Sequence, residues 1–297
     1  MSRQITTLLS EFSYLECPRW HDGRIWFVDF YTYRVLSAAE DGTDVRLEAD
    51  VPGQPSGLGW LPDGRLLVVS MRDARILRRE PDGSLVTHAD LSAHVTGHVN
   101  DMVVDAEGRA FVGNFGFDLM GGADLRTTNL LRVDPDGSVS EVAQGLYFPN
   151  GSVITDDGVL LVDETLGNRV SAFDIAPDGS LGARRDWASF GDLPSDPAFD
   201  QVLAAVVLAP DGCCLDAEGA VWIADAIGGR VVRVREGGEI LEEIQPGTGV
   251  FACMLGGSDG RTLYLCAAPD FQEEARKGAR EASLLSVRVD VPHAGRP

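Results

Sequence analysis

A chain of 297 residues, 44 % of them hydrophobic, is long enough to bury a sizeable core. Its 46 acidic residues against 25 basic ones give a net charge of −21, with no basic run longer than two, which disfavours nucleic acid as a partner. No run of about 18 apolar residues exists to span a membrane.

The N-terminal stretch Met1–Glu11 lacks the apolar core and small-residue cleavage pattern of a secretory signal. The five cysteines (Cys17, Cys213, Cys214, Cys253, Cys266) contain no Cys-x-x-Cys pair, so neither a disulfide scaffold nor a zinc ribbon is indicated. The expectation is a cytoplasmic protein with reduced thiols. A first strand is predicted around Ile5 to Leu9. From there an acidic residue followed by glycine recurs at Asp22-Gly23, Asp63-Gly64, Glu107-Gly108, Asp157-Gly158, Glu218-Gly219 and Asp259-Gly260. Asp-Gly between short apolar runs is a strong hairpin signal. Each is followed by a β-rich run: Ile25–Val28, Leu66–Val69, Ala110–Val112, Val159–Val162, Val221–Ile223 and Leu263–Leu265. A third run follows most of these, such as Arg75–Leu77 or Arg169–Phe173, and several end in a second turn at Asp41-Gly42, Asp82-Gly83, Asp136-Gly137 or Asp178-Gly179.

Successive first-turn glycines stand 41, 44, 50, 61 and 41 residues apart. Six copies of a four-strand unit predict an all-β fold, a six-bladed β-propeller in one domain over residues 1–297. The strand near Ile5 completes the last blade. The two longer gaps predict insertions at about 116–129 and 187–210. A two-sheet sandwich would not repeat in phase six times.

The strand ahead of each first turn should line the central channel. Eight residues before the turn glycine lie Ser56, Asn100, Asn150, Asp211 and Ala252, and seven before the first lies Glu16. Pro149-Asn150-Gly151 and Pro210-Asp211-Gly212 read as turns that present a side chain just as the strand begins. Singly, such residues cap turns. At one phase in four repeats, Glu16, Asn100, Asn150 and Asp211 describe a hard-cation site on the axis, made of two carboxylates and two amides. One divalent cation is predicted, Ca²⁺ foremost, with Mg²⁺, Mn²⁺ and Zn²⁺ as alternatives.

Leu15–Trp20, Val99-Asn100-Asp101, Pro149-Asn150-Gly151 and Pro210–Gly219 together resemble the senescence marker protein/gluconolactonase/luciferin-regenerating enzyme family over about residues 11 to 290. That resemblance implies a six-bladed propeller with one axial divalent cation that hydrolyses a small lactone or related ester. It implies Glu16, Asn150 and Asp211 as metal ligands and Asn100 as a contact to metal, substrate or both. Two departures stand out. The family's Glu-Gly-Pro is Glu16-Cys17-Pro18 in this chain, and His98 replaces the arginine of sugar-lactone members. By the same resemblance, Asp118 stands near a substrate-contacting acidic residue of those members. Phe115, Phe117, Met120, Tyr147, Phe148 and Phe251 make the mouth apolar, which suits a more hydrophobic lactone or ester than a sugar lactone.

The chemistry expected is metal-assisted hydrolysis, with the cation polarising the carbonyl and stabilising the oxyanion. Asp211 is the first candidate for general base and Asn100 orients the carbonyl. His98 is the competing base and a substrate contact, with a reference pKa that suits proton transfer. A phosphotriesterase-like hydrolase and a non-catalytic propeller that binds a protein or peptide are the alternative classes. The partner expected is a small molecule, and the protein a monomer or small homo-oligomer. No Gly-x-Ser-x-Gly elbow supports a serine hydrolase. Adjacent Cys213 and Cys214 read as core residues rather than a redox pair.

Overall fold

The computed structural model describes residues 3–295. The first strand is β1 (Ile5–Phe12). Four strands follow, β2 (Leu15–His21), β3 (Arg24–Asp29), β4 (Arg34–Ala38) and β5 (Arg46–Asp50), then β6 (Pro55–Trp60), β7 (Leu66–Ser70), β8 (Arg75–Arg79) and β9 (Leu85–Asp90). The next two groups are β10 (Val99–Val104), β11 (Ala110–Asn114), β12 (Thr128–Val133) and β13 (Val139–Leu146), and β14 (Pro149–Ile154), β15 (Val159–Glu164), β16 (Arg169–Asp174) and β17 (Arg185–Ser189). Helix α1 (Phe199–Ala205) precedes β18 (Pro210–Leu215), β19 (Val221–Asp225), β20 (Arg230–Val234) and β21 (Ile240–Ile244). The chain ends with β22 (Gly249–Gly256), β23 (Thr262–Ala268), helix α2 (Glu273–Gly278) and β24 (Ala282–Arg288).

Among the described residues these strands form six four-stranded sheets. Five are sequential, and the sixth runs β1-β24-β23-β22, so the first strand completes the last sheet as expected. The chain packs as two compact units. One comprises the residues up to Pro55 and those from Asp211 onward, the other Ser56–Pro210. Each unit holds three sheets.

In the five sequential sheets the first two strands are mostly buried and the fourth is mostly open. All of β3 but its first residue, and every residue of β7, β15 and β19, is buried, whereas β5, β9 and β21 are largely open to solvent. Strands covered on both faces read as continuous apolar runs, hence Leu66–Val69 and Val159–Val162. Between two sheets of the second unit lies a core of Val103, Phe111, Leu130, Leu146, Ile154, Leu160, Val162 and Phe173.

The recurring turns form by a shared mechanism. Gly64 N–H donates to Leu61 O at 2.8 Å and Leu61 N–H to Arg65 O at 2.9 Å, with Gly64 in the left-handed region at φ +84°. Only glycine adopts that conformation without a Cβ penalty. Asp63 stays out of it and instead accepts from Arg65 N–H at 3.1 Å, an aspartate turn. Only Asp22-Gly23 has positive φ at both residues, so this two-residue turn differs from the other five.

Three expectations need correction. Pro149-Asn150-Gly151 and Pro210-Asp211-Gly212 are not turns but the opening residues of β14 and β18. In β18 glycine is needed for close approach. A Cβ on Gly212 would lie 2.4 Å from that of Ala252, and one on the equivalent Gly57 of β6 would lie 2.6 Å from Met102 N. The second insertion begins only after Ser189, because Trp187 belongs to β17. The two short helices go unannounced in the sequence, since neither is long enough to display a periodicity.

Candidate active site

Glu16, Ser56, Asn100, Asn150 and Asp211 are each the second residue of their strand, β2, β6, β10, β14 and β18. In the hairpins β2–β3, β10–β11 and β14–β15 the register shifts just beyond this residue: between Glu16 and Arg19, Val99 and Met102, and Pro149 and Ser152. A β-bulge re-aims the side chains beside it and ends regular pairing. The repeat phase therefore marks a structural position and not only a sequence one.

In the unit Ser56–Pro210, bare glycine backbone lets adjacent first strands touch, and Ser56 Oγ donates to Asn100 Oδ1 at 3.4 Å. Asn100 and Asn150 are buried, at 7 % and 6 % exposure. Asn150 Nδ2 donates to Thr165 Oγ1 at 3.0 Å, and Thr165 Oγ1 donates to Pro210 O at 2.7 Å. The aromatic residues expected at the mouth also meet in this unit. The Phe115 and Phe148 rings are 4.5 Å apart in an edge contact, and His98 lies 5.7 Å from Phe115, whose N–H donates to His98 O. Phe148 holds a left-handed backbone at φ +59°.

Other predicted contacts are placed differently. Phe117 is buried, at 4 % exposure. Asp118 is exposed and turned into its own loop, where Oδ1 accepts from Gly121 N–H at 2.9 Å. Tyr147 is half-buried, and its ring lies 5.6 Å beneath the Arg169 guanidinium. The two insertions meet through Leu125 N–H and Pro197 O at 2.8 Å.

In the other unit Glu16 and Asp211 are both buried, each 8 % exposed. They act on the same two neighbours. Burial pushes the Tyr14 hydroxyl well above its usual pKa, and the Glu16 and Asp211 charges push it further. Burial likewise raises the Cys266 thiol; Glu16 and Asp211 add to that effect while Arg19 opposes it. Glu16 and Asp211, on different strands, thus both lie within electrostatic range of Tyr14 and Cys266. Cys17 N–H donates to Glu16 Oε2 at 3.1 Å, and Cys17 sits at φ +48° where the family pattern has glycine. Tyr14 packs on Phe251 with ring centroids 5.0 Å apart.

All five cysteines are buried, and they carry thiols rather than disulfides. Cys213 and Cys214 are successive residues of β18 and so project to opposite faces, which removes the redox pair. Among the described residues no group of three or more His, Cys, Asp and Glu gathers, and no helix is long and apolar enough to cross a membrane.

Sequence reasoning missed Tyr14, Thr165 and the ion pair of Glu164 with Arg169. Glu164 is fully buried and accepts from Arg169 Nε at 2.9 Å and Nη2 at 3.0 Å, from Ser171 Oγ, and from Tyr147 N–H at 2.8 Å. The only sequence signal is a pair of polar residues, Glu164-Thr165, closing the apolar strand Val159–Val162.

Six four-stranded sheets, five of them opening on a strand with a polar residue at its second position, define a class, the six-bladed β-propellers. Residues 15–269 match the SMP-30/Gluconolactonase/LRE-like region, and the chain belongs to that family. It is 29 % identical to the pentonolactonase XacC of Haloferax volcanii, over 95 % of this chain and 92 % of that protein. The structure of a luciferin-regenerating enzyme superposes with a TM-score of 0.80 at 19 % identity, covering 98 % of this chain and 97 % of that one. A calcium-binding regucalcin from Agrobacterium tumefaciens gives the same TM-score at 18 % identity, covering 100 % and 97 %. These likenesses establish the six-bladed propeller fold.

Proposed function

We propose that this protein is a lactone hydrolase that works with one divalent cation, Ca²⁺ foremost. The family includes the pentonolactonase aligned along nearly the whole chain, which supports lactone hydrolysis. The observation that carries the cation is the burial of two carboxylates, Glu16 and Asp211, at the same strand position as Asn100 and Asn150. Their oxygen-only chemistry, with Asn150 and Asn100 at the same strand position, suits a hard ion.

In this reading Glu16, Asn150 and Asp211 hold the cation, and Asn100 contacts the cation, the substrate or both. When bound, the cation supplies Lewis-acid polarisation of the ester carbonyl. Asn100 orients that carbonyl, with its own amide steadied by Ser56. Asp211 takes the proton from the attacking water, and His98 is the alternative base. Phe115 and Phe148 form an apolar wall with His98 at its edge, favouring a lactone with a hydrophobic substituent over a polyhydroxylated one, while Tyr147 lies beneath Arg169. Phe117 and Asp118 lie in the adjoining loop.

Chelator-stripped protein should regain hydrolysis of a lactone panel when Ca²⁺, Mg²⁺, Mn²⁺ or Zn²⁺ is added back singly. Asp211→Asn should lose the metal-induced rise in Tm and at least about 100-fold of activity, in the range for a general acid–base group. Full hydrolysis by this variant would remove Asp211 from the mechanism. Tight metal binding without turnover of any lactone would favour phosphoester chemistry or a binding role instead.

A further inference from the structure

The geometry points to Thr165 as a positioning residue that fixes which way the Asn150 amide faces, and so makes Asn150 an oxygen ligand. This role rests on the proposed cation site. Counting protons fixes the orientation. The Pro210 carbonyl can only accept, and it lies 2.7 Å from Thr165 Oγ1. The threonine hydroxyl has one proton, which is committed to that carbonyl. Whatever atom of Asn150 stands 3.0 Å from Thr165 Oγ1 must therefore donate, and that is the NH₂ group. A reversed amide would set oxygen against oxygen with no proton between them. With Nδ2 held by Thr165, Oδ1 is directed to the other side of the amide, where a hard cation needs oxygen and an NH₂ would repel it.

Thr165 is itself locked in place. It is 6 % exposed, its N–H donates to Phe148 O at 3.1 Å, and it follows Glu164, whose carboxylate grips Tyr147 N–H and Arg169. The segment 164–169 thus clamps Tyr147-Phe148-Pro149 from one side and orients Asn150 from the other. Partners of this kind behind a ligand commonly govern metal affinity by about 10- to 100-fold.

The test compares Thr165→Val, which loses the hydroxyl at constant shape, with Thr165→Ser, which keeps it. Ca²⁺ is titrated calorimetrically into each chelator-stripped protein, and the Ca²⁺-induced shift in Tm is recorded. Thr165→Val should bind Ca²⁺ at least about 10-fold more weakly and lose most of the Tm shift. Thr165→Ser should stay within about 3-fold of the original, below that range. Equal affinity in all three, or equal weakening in Val and Ser, overturns the role. Thr165→Ala serves if Thr165→Val does not fold.

A second readout needs no cation. In chelator-stripped protein the Asn150 side-chain NH₂ should exchange slowly in NMR spectra, and Thr165→Val should abolish that protection. Fast exchange in the original protein overturns the inference even if Ca²⁺ binds. Slow exchange with no affinity for any divalent ion instead overturns the cation site, and with it the role of Thr165 in preparing a metal ligand.

Discussion

Cys17 shows how one residue can be constrained by its neighbours. At φ +48° it occupies a conformation that costs a non-glycine residue on the order of 1–2 kcal/mol. In that conformation the Cys17 N–H donates to Glu16 Oε2 at 3.1 Å. The Glu164–Arg169 pair is held more tightly, bidentate and with both side chains buried. Removing one partner leaves the other charge uncompensated. Arg169→Ala should cost about 3–5 kcal/mol in denaturant unfolding. A loss under about 1 kcal/mol would mean the buried carboxylate is readily neutralised or hydrated. The candidate ligands were legible at this scale because they recur at one phase; Thr165 was not, since its partners lie 15 and 45 residues away.

Among the elements, strands and turns were the most legible. Their signals are local: an aspartate that accepts from the N–H two residues on, a glycine with positive φ, a short apolar run. Pro-Asp-Gly misled because Gly212 serves a different purpose, with Ala252 Cα only 2.7 Å from where a Cβ would stand. The insertion after β17 is organised by Asn168, which no local pattern announces. Its Nδ2 donates to Asp192 O at 2.8 Å and Ala205 O at 3.0 Å, while Oδ1 accepts from Val207 N–H at 2.7 Å and Leu208 N–H at 3.4 Å. One fully buried amide thereby satisfies both donors and both lone pairs across the insertion. Asn168→Ala orphans these groups and should destabilise by about 2–3 kcal/mol. Limited proteolysis should then cut within 190–207 faster than in the original, and an unchanged cleavage rate would show that the insertion is held by other contacts.

Over the whole molecule the surplus of acid is not spread at random. Asp41, Asp82, Asp136 and Asp178 all lie below the ordinary carboxylate value of 3.8, first because a following Thr or Ser hydroxyl donates to each. Asp259 falls to about 2 beside Arg288. A depressed folded-state pKa means that the unfolded chain binds more protons around and below pH 3.8, so this contribution is complete above that pH and is lost as pH falls through the folded values. Melting temperature should therefore drop below about pH 4. Asp82→Asn with Asp178→Asn should flatten that acid limb while leaving the neutral-pH Tm nearly unchanged, because asparagine also forms the turn. An identical acid limb in the double variant would assign acid loss to buried carboxylates instead.

The sheet that joins β1 to β24 bears on how the protein is made. Residues 56–210 contain three complete sheets in one continuous stretch, available in order as they leave the ribosome. The strand β1 is synthesised long before its partner, residues 282–288. Throughout translation it carries an unpaired edge, the kind of surface on which nascent chains find wrong partners. Its alternation of half-buried with exposed residues and its two register irregularities against β24 keep that edge from being a flat apolar template while it waits.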